Sequence, residues 1–165
     1  EQAQEFFAQV QNQLHWAAHG HTAAEVIHQR ADADQPNMGI TNFSGNKLLK
    51  RDTEVAKNYL AEEELNLLNR IVTAYLELAE IQALNKVTMT MADWLERLQQ
   101  FLSMTGRDIL THAGKVSRQQ ALDKAHHEYE LFKHKELESP SQVEQHFIEA
   151  TEKELKAFEK SRKGS

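Results

Sequence analysis

Cysteine is absent from this 165-residue chain, which excludes disulfides and thiolate metal sites. Proline occurs twice and glycine six times, too rarely for a low-complexity or fibrous chain. No run of about eighteen apolar residues is present, so no segment is expected to span a membrane. No stretch alternates apolar and polar residues with a period of two, which leaves no strand candidate. Basic residues are outnumbered, 19 Lys+Arg against 25 Asp+Glu, and the net charge of −6 is expected to repel nucleic acid over the surface as a whole. No charged-then-apolar leader opens the chain, so the expected compartment is the cytoplasm. The first residue is Glu1 and the last two are Gly164-Ser165, and both ends read as those of an excised fragment.

What is there is ordinary globular material, 40% hydrophobic and 27% charged, enough for one domain over residues 1–165. Two basic clusters, Lys47, Lys50 and Arg51, and Lys153, Lys156, Lys160, Arg162 and Lys163, are interleaved with acids or apolar residues and read as solvated surface.

Helical periodicity covers most of the chain. Phe6/Phe7, Val10, Leu14 and Ala17/Ala18 predict an amphipathic helix ended by Gly20. Thr22-Ala-Ala-Glu25 is a capping box and predicts a second helix to about Arg30. From Ala31 to Asn46 the periodicity stops, and this longest irregular loop (31–46) is the first place to look for function. Asp52 is placed to cap a short helix through Tyr59. Leu65, Leu68, Val72, Tyr75, Ala79 and Ala83 form one stripe of the longest helix, read as the centre of a bundle, with Glu80 on its solvated face. Thr90 caps a helix with core residues Met91, Trp94, Leu98 and Phe101, stopped near Gly106, and a short helix is predicted from Arg107 to Ala113. Ser117–Gln120 and Ser139–Gln142, the latter with Pro140, are further capping boxes. Their helices are expected to bury Ala121, Ala125, Tyr129 and Phe132, then Val143, Phe147, Ala150, Leu155 and Phe158. The fold expected is all-α, a single helical bundle of about six to eight helices.

Nine histidines raise the question of metal. His15, His19 and His21 gather at the end of the first helix, and Glu25 with His28 makes a Glu-x-x-His pair. Di-metal bundles need two such pairs and two further inward glutamates. One pair is present and Glu25 already serves the capping box, so neither metal nor cofactor is expected. Asp123, His127, Glu130 and His134 share a helical face opposite Ala121 and Ala125 and read as solvated. Arg107-Asp-Ile-Leu-Thr-His112 resembles the Arg-x4-His motif of HEPN-type helical ribonucleases. That resemblance implies Arg107 on the scissile phosphate and His112 transferring a proton at a dimer seam, without metal. The same two residues also read as an exposed arginine and a helix-terminal histidine.

A wider resemblance runs through Thr22-Ala-Ala-Glu25, Arg30-Ala-Asp32, Asn37-Met-Gly39-Ile-Thr41 and Ala56-Lys-Asn-Tyr-Leu60. It continues through Leu76, Ala79-Glu80, Met91-Ala-Asp-Trp94, Phe101-Leu102, Leu110, Gly114-Lys-Val-Ser117 and Glu128-Tyr129. In these stretches the chain resembles the RhuM family, bacterial genomic-island proteins usually labelled virulence proteins. The resemblance implies a longer protein whose N-terminal half is DNA-binding-like, with this chain as the C-terminal domain. The polar residues it carries over are His15, Arg30, Asp32, Asn37, Thr41, Lys57, Asn58, Tyr59 and Glu64. No capping or amphipathic rule demands Arg30, Asp32, Lys57 or Asn58.

Two functions are therefore expected to compete. One is a helical module that dimerises or binds a protein beside the DNA-binding-like half, through which nucleic acid would be reached. The other is a nuclease-like enzyme acting on nucleic acid. In it His15 would exchange a proton, Arg30 or Lys57 would hold phosphate and Asp32 would orient the base. Asn58 would stand beside them, with Asn37, Thr41, Tyr59 and Glu64 as binding residues. In the module the same residues cap and staple the loop, with Arg30 paired to Asp32 two residues away. A homo-oligomer is expected, and no membrane partner.

Overall fold

The computed structural model describes residues 2–138 and 142–163. Among these the chain is all-helical, without strands. Six α-helices are described, α1 (Gln2–His19), α2 (Ala23–Arg30), α3 (Glu62–Leu84), α4 (Met91–Met104), α5 (Arg118–Glu138) and α6 (Gln142–Lys163). Three short 3-10 turns, Pro36–Gly39, Lys50–Glu54 and Ala56–Tyr59, lie between α2 and α3. No described helix is long and apolar enough to cross a membrane. The chain forms two compact units, Glu1–Tyr129 and Glu130–Ser165.

In the first unit helix ends fall where local chemistry satisfies them. Gly20, at φ 75°, closes α1 by donating its N–H to the Trp16 carbonyl at 2.8 Å. The Thr22 hydroxyl accepts from the Glu25 N–H at 3.3 Å, and the Glu25 carboxylate accepts from the Thr22 N–H at 2.9 Å. Thr90 and Asp93 repeat the arrangement at α4, as do Ser117 and Gln120 at α5.

Packing departs from the expected stripes in several places. The helix packed against α2, α3 and α4 is α1, so α1 rather than the longest helix is the hub. Its buried face is Gln13, His15, Ala17 and Ala18, whereas Phe7 is exposed. The α3 stripe is buried at Leu68, Ile71 and Tyr75 and then emerges, so that Ile81, Ala83 and Leu84 face solvent. In α4, Leu98 and Leu102 are fully buried, while Met91, an expected core residue in the exposed first turn, is exposed. The Tyr75 ring stands 6.5 Å from Trp94 and 6.1 Å from Phe101, and its hydroxyl donates to the Trp94 carbonyl at 2.7 Å. These aromatic contacts join α3 to α4.

Two predicted helices are corrected. Residues 107–113 are not helical. The Gln13 side chain takes both polar groups of Leu110, donating to its carbonyl at 2.8 Å and accepting from its N–H at 3.0 Å. Those groups are then unavailable for a helical ladder. The stretch from Asp52 to Tyr59 forms 3-10 turns instead of an α-helix, and Asp52 accepts from the Leu49 N–H behind it at 2.8 Å.

The second unit holds the end of α5 and α6. Phe147, Ala150 and Leu155, expected in a core, are exposed. The expected Ser139–Gln142 box with Pro140, and the side chains of Val143 and Phe158, lie outside the described residues. The solvated face expected of Asp123, His127, Glu130 and His134 is exposed.

Candidate functional site

The irregular segment between α2 and α3 is held by polar groups from four elements. Its start turns sharply. Asn37 and Met38 both have φ 50°, a left-handed conformation that costs a non-glycine residue about 1–2 kcal/mol. Complete burial of the Met38 side chain offsets part of that cost. The turn closes on itself, with Asp32 N–H on the Met38 carbonyl at 3.2 Å and Ile40 N–H on the Asn37 carbonyl at 3.0 Å. Further on, the Thr41 hydroxyl reaches the carbonyls of Asn58 (3.0 Å) and Leu60 (2.6 Å), tying the loop to the last 3-10 turn. There the Asn58 side-chain amide donates to the Asp52 carbonyl at 2.8 Å, and the buried Tyr59 hydroxyl donates to the Thr53 carbonyl at 2.8 Å.

Arg30 is the central fastener. Its guanidinium grips the Glu64 carboxylate through two bonds, 2.6 and 2.8 Å, and donates to the Tyr59 carbonyl at 2.9 Å. This fork joins the end of α2 to the first turn of α3. The guanidinium holds the Glu64 carboxyl far below its usual range, at about 2, and Glu64 in turn raises Arg30. The expected local pairing of Arg30 with Asp32 is therefore replaced by Glu64. Asp32 instead accepts from the Asp34 N–H at 2.9 Å.

Against this pair lies a histidine couple. His15, only 4% exposed, shares a hydrogen bond from its Nδ1 with His19 Nε2 at 2.9 Å. Spacing of four residues on α1 puts both rings on one face. Burial pushes His15 down to about 4, helped by His19. Burial also lowers His19 to about 4, with Glu64 opposing and Arg30 assisting. Both rings are therefore neutral at neutral pH. His19 Nδ1 is buried without a hydrogen-bond partner. His21 donates from Nδ1 to the His19 carbonyl at 3.1 Å.

Thus His15, Arg30 and Glu64 come together, with His19 between them. Lys57 and Asn37 are exposed, and neither Asp32 nor Lys57 bonds to that group among the described residues. Arg107 is exposed off any helix, and His112 stands against Trp16 at 5.0 Å and accepts from the Gly114 N–H. Glu25 is occupied by the N–H groups of Thr22 and Lys115. Burial would raise its carboxyl, but those donors prevail and lower it.

Sequence reasoning missed three fasteners. Read by sequence, His19 groups with the other histidines, although its spacing from His15 signals a shared face. Glu128 on α5 accepts from the Ala33 N–H at 2.8 Å and pairs with Lys124. His126 meets Glu54 at 2.8 Å. Neither of these last two carries a local signal.

The fold and this network define an all-helical protein, among the described residues, with a long, internally stapled connection between α2 and α3. The chain belongs to the Virulence protein RhuM family, whose model matches residues 1–140. No curated protein and no solved structure matches it.

Proposed function

We propose that this domain is a non-catalytic helical module that holds two copies of a RhuM-family protein together, beside a DNA-binding-like half, in the cytoplasm. What carries this reading is the employment of the polar residues. Arg30, Thr41, Asn58, Tyr59 and Glu64 each bond to the segment they would otherwise be expected to serve as a site. Large apolar side chains of α3 and α4 meanwhile face solvent. Sedimentation of the chain at micromolar concentration is expected to show a reversible dimer. A monomer throughout that range would remove this reading.

The competing reading, a nuclease using His15, Arg30, Asp32, Lys57 and Asn58 or the Arg107–His112 pair, draws support from one observation. The His15–His19 couple lies beside the Arg30 guanidinium. The two readings part in one assay with duplex DNA and single-stranded RNA. At a net charge of −6 the chain alone is expected to bind duplex DNA only weakly at physiological salt and to cleave neither substrate. Cleavage lost in a His15 or His112 variant would favour the enzyme.

A further inference from the structure

Beyond Tyr75, α3 and α4 leave a groove of about 380 Å3 between them. Its lining is Ala74, Leu78 and Ile81 on one side and Phe101 and Met104 on the other. Met104 is 80% exposed, Ile81 53% and neighbouring Leu84 75%. Scattered single apolar residues on a surface are ordinary, but a contiguous set around a groove marks a contact surface.

We propose that the occupant of this groove is the same groove of a second copy, packed about a twofold axis so that two α3–α4 pairs form a four-helix contact. The inference rests on the oligomeric reading above and adds the surface and its charge pairs. A twofold contact brings a patch against itself, so the patch must be complementary to itself. This one is, because its two rims carry opposite charges. Glu77 lines the groove from α3 and Arg97 from α4, and both are exposed. Glu77 makes no ion pair among the described residues, and Arg97 donates to the Gln100 side chain at 3.3 Å and sits near enough to Asp93, one turn earlier on α4, to help lower its carboxyl. Rotation about the twofold sets Glu77 of each copy against Arg97 of the other, giving two pairs per dimer around an apolar centre. Opposite charges at such a rim set register and exclude wrong pairings. A helix from an unrelated partner would need only the apolar floor, and leaves the opposed rim charges unused.

The test uses the whole chain and three samples besides the wild type: Glu77→Arg, Arg97→Glu and an equimolar mixture of the two. Each variant alone faces like charges at both rim positions and is expected to dimerise at least about tenfold more weakly than wild type. The mixture restores both opposite-charge pairs in a heterodimer, and near-wild-type affinity is expected. Circular dichroism confirms that each variant is folded, which exposed positions permit. Weakened variants that the mixture does not rescue would overturn the twofold pairing. Variants as tight as a dimeric wild type would overturn this surface while leaving the oligomeric reading intact, the contact then lying elsewhere. A monomeric wild type would remove both.

Discussion

Replacing Gly39 with alanine is expected to destabilise the first unit by about 4 kcal/mol or more, at the exceptional end for one substitution. Two causes add. Gly39 has φ +84°, a left-handed conformation that costs an alanine about 1–2 kcal/mol. Its Cα also faces the Arg30 backbone, and an added Cβ would overlap the Arg30 carbonyl oxygen and stand 3.3 Å from the carbonyl carbon. A backbone atom at the end of a helix cannot swing aside as a side-chain tip can. Either the turn must retreat, breaking the Asp32–Met38 bond and uncovering Met38, or α2 must lose its last turn with Arg30 on it. Gly45 provides the control. It has φ +93° with nothing within 4 Å of an added Cβ, so Gly45→Ala is expected to cost only the conformational penalty. Urea denaturation of the two variants separates these effects. If Gly39→Ala is no worse than Gly45→Ala, the close approach to Arg30 is wrong.

Acidification is expected to weaken the fold well before carboxylates titrate. In the unfolded chain His15 takes up a proton near 6.5, in the folded protein near 4. Between those values the unfolded state binds more protons, so stability rises with pH there. The stabilisation is fully present above about 6.5 and is lost as pH falls toward 4. For His15, almost wholly buried, the gap corresponds to about 3 kcal/mol. His19 shifts in the same direction for the same leading reason, burial. A protonated couple would also sit against the Arg30 guanidinium, with only Glu64 to balance it. Glu64 acts in a lower window. Its contribution is present above 4.5 and lost as pH falls through about 2. The urea midpoint is therefore expected to drop clearly between pH 7 and pH 5. A midpoint flat over that range would show that His15 is not held neutral by burial. His15→Gln, which cannot take up a proton, is expected to shrink the drop and leave the part that His19 contributes.

These two expectations rest on features of different legibility. Glycine at position 39 and the turn residues around it mark a loop in any reading of the sequence, but nothing local says which backbone lies beneath. His15 enters through the RhuM resemblance, and reading it as a proton carrier assumes solvent access. Its place on the buried face of α1 gives it a neutral, packed role in the folded state. Arg30 falls outside every capping and amphipathic rule, and its neighbour Asp32 is the nearest carboxylate along the chain. The carboxylate it grips, Glu64, is 34 residues away and arrives only when α3 is docked.

The helical class, and those boundaries whose chemistry closes within a turn, follow from local sequence alone. Thr22 with Glu25, Thr90 with Asp93, and Ser117 with Gln120 satisfy free N–H groups from residues three positions on, and Gly20 supplies a left-handed stop. Such signals are complete in a short window, so they survive whatever packs against them. Tertiary structure decided which faces are covered and which polar groups meet. Gln13 captures Leu110 across 97 residues and abolishes a helix that local pattern favoured. Glu128 reaches Ala33 across 95 residues, and the α3 stripe is buried over half its length and exposed over the rest. A periodic pattern states that a face is apolar. Whether that face becomes core or contact surface depends on what the rest of the chain brings against it.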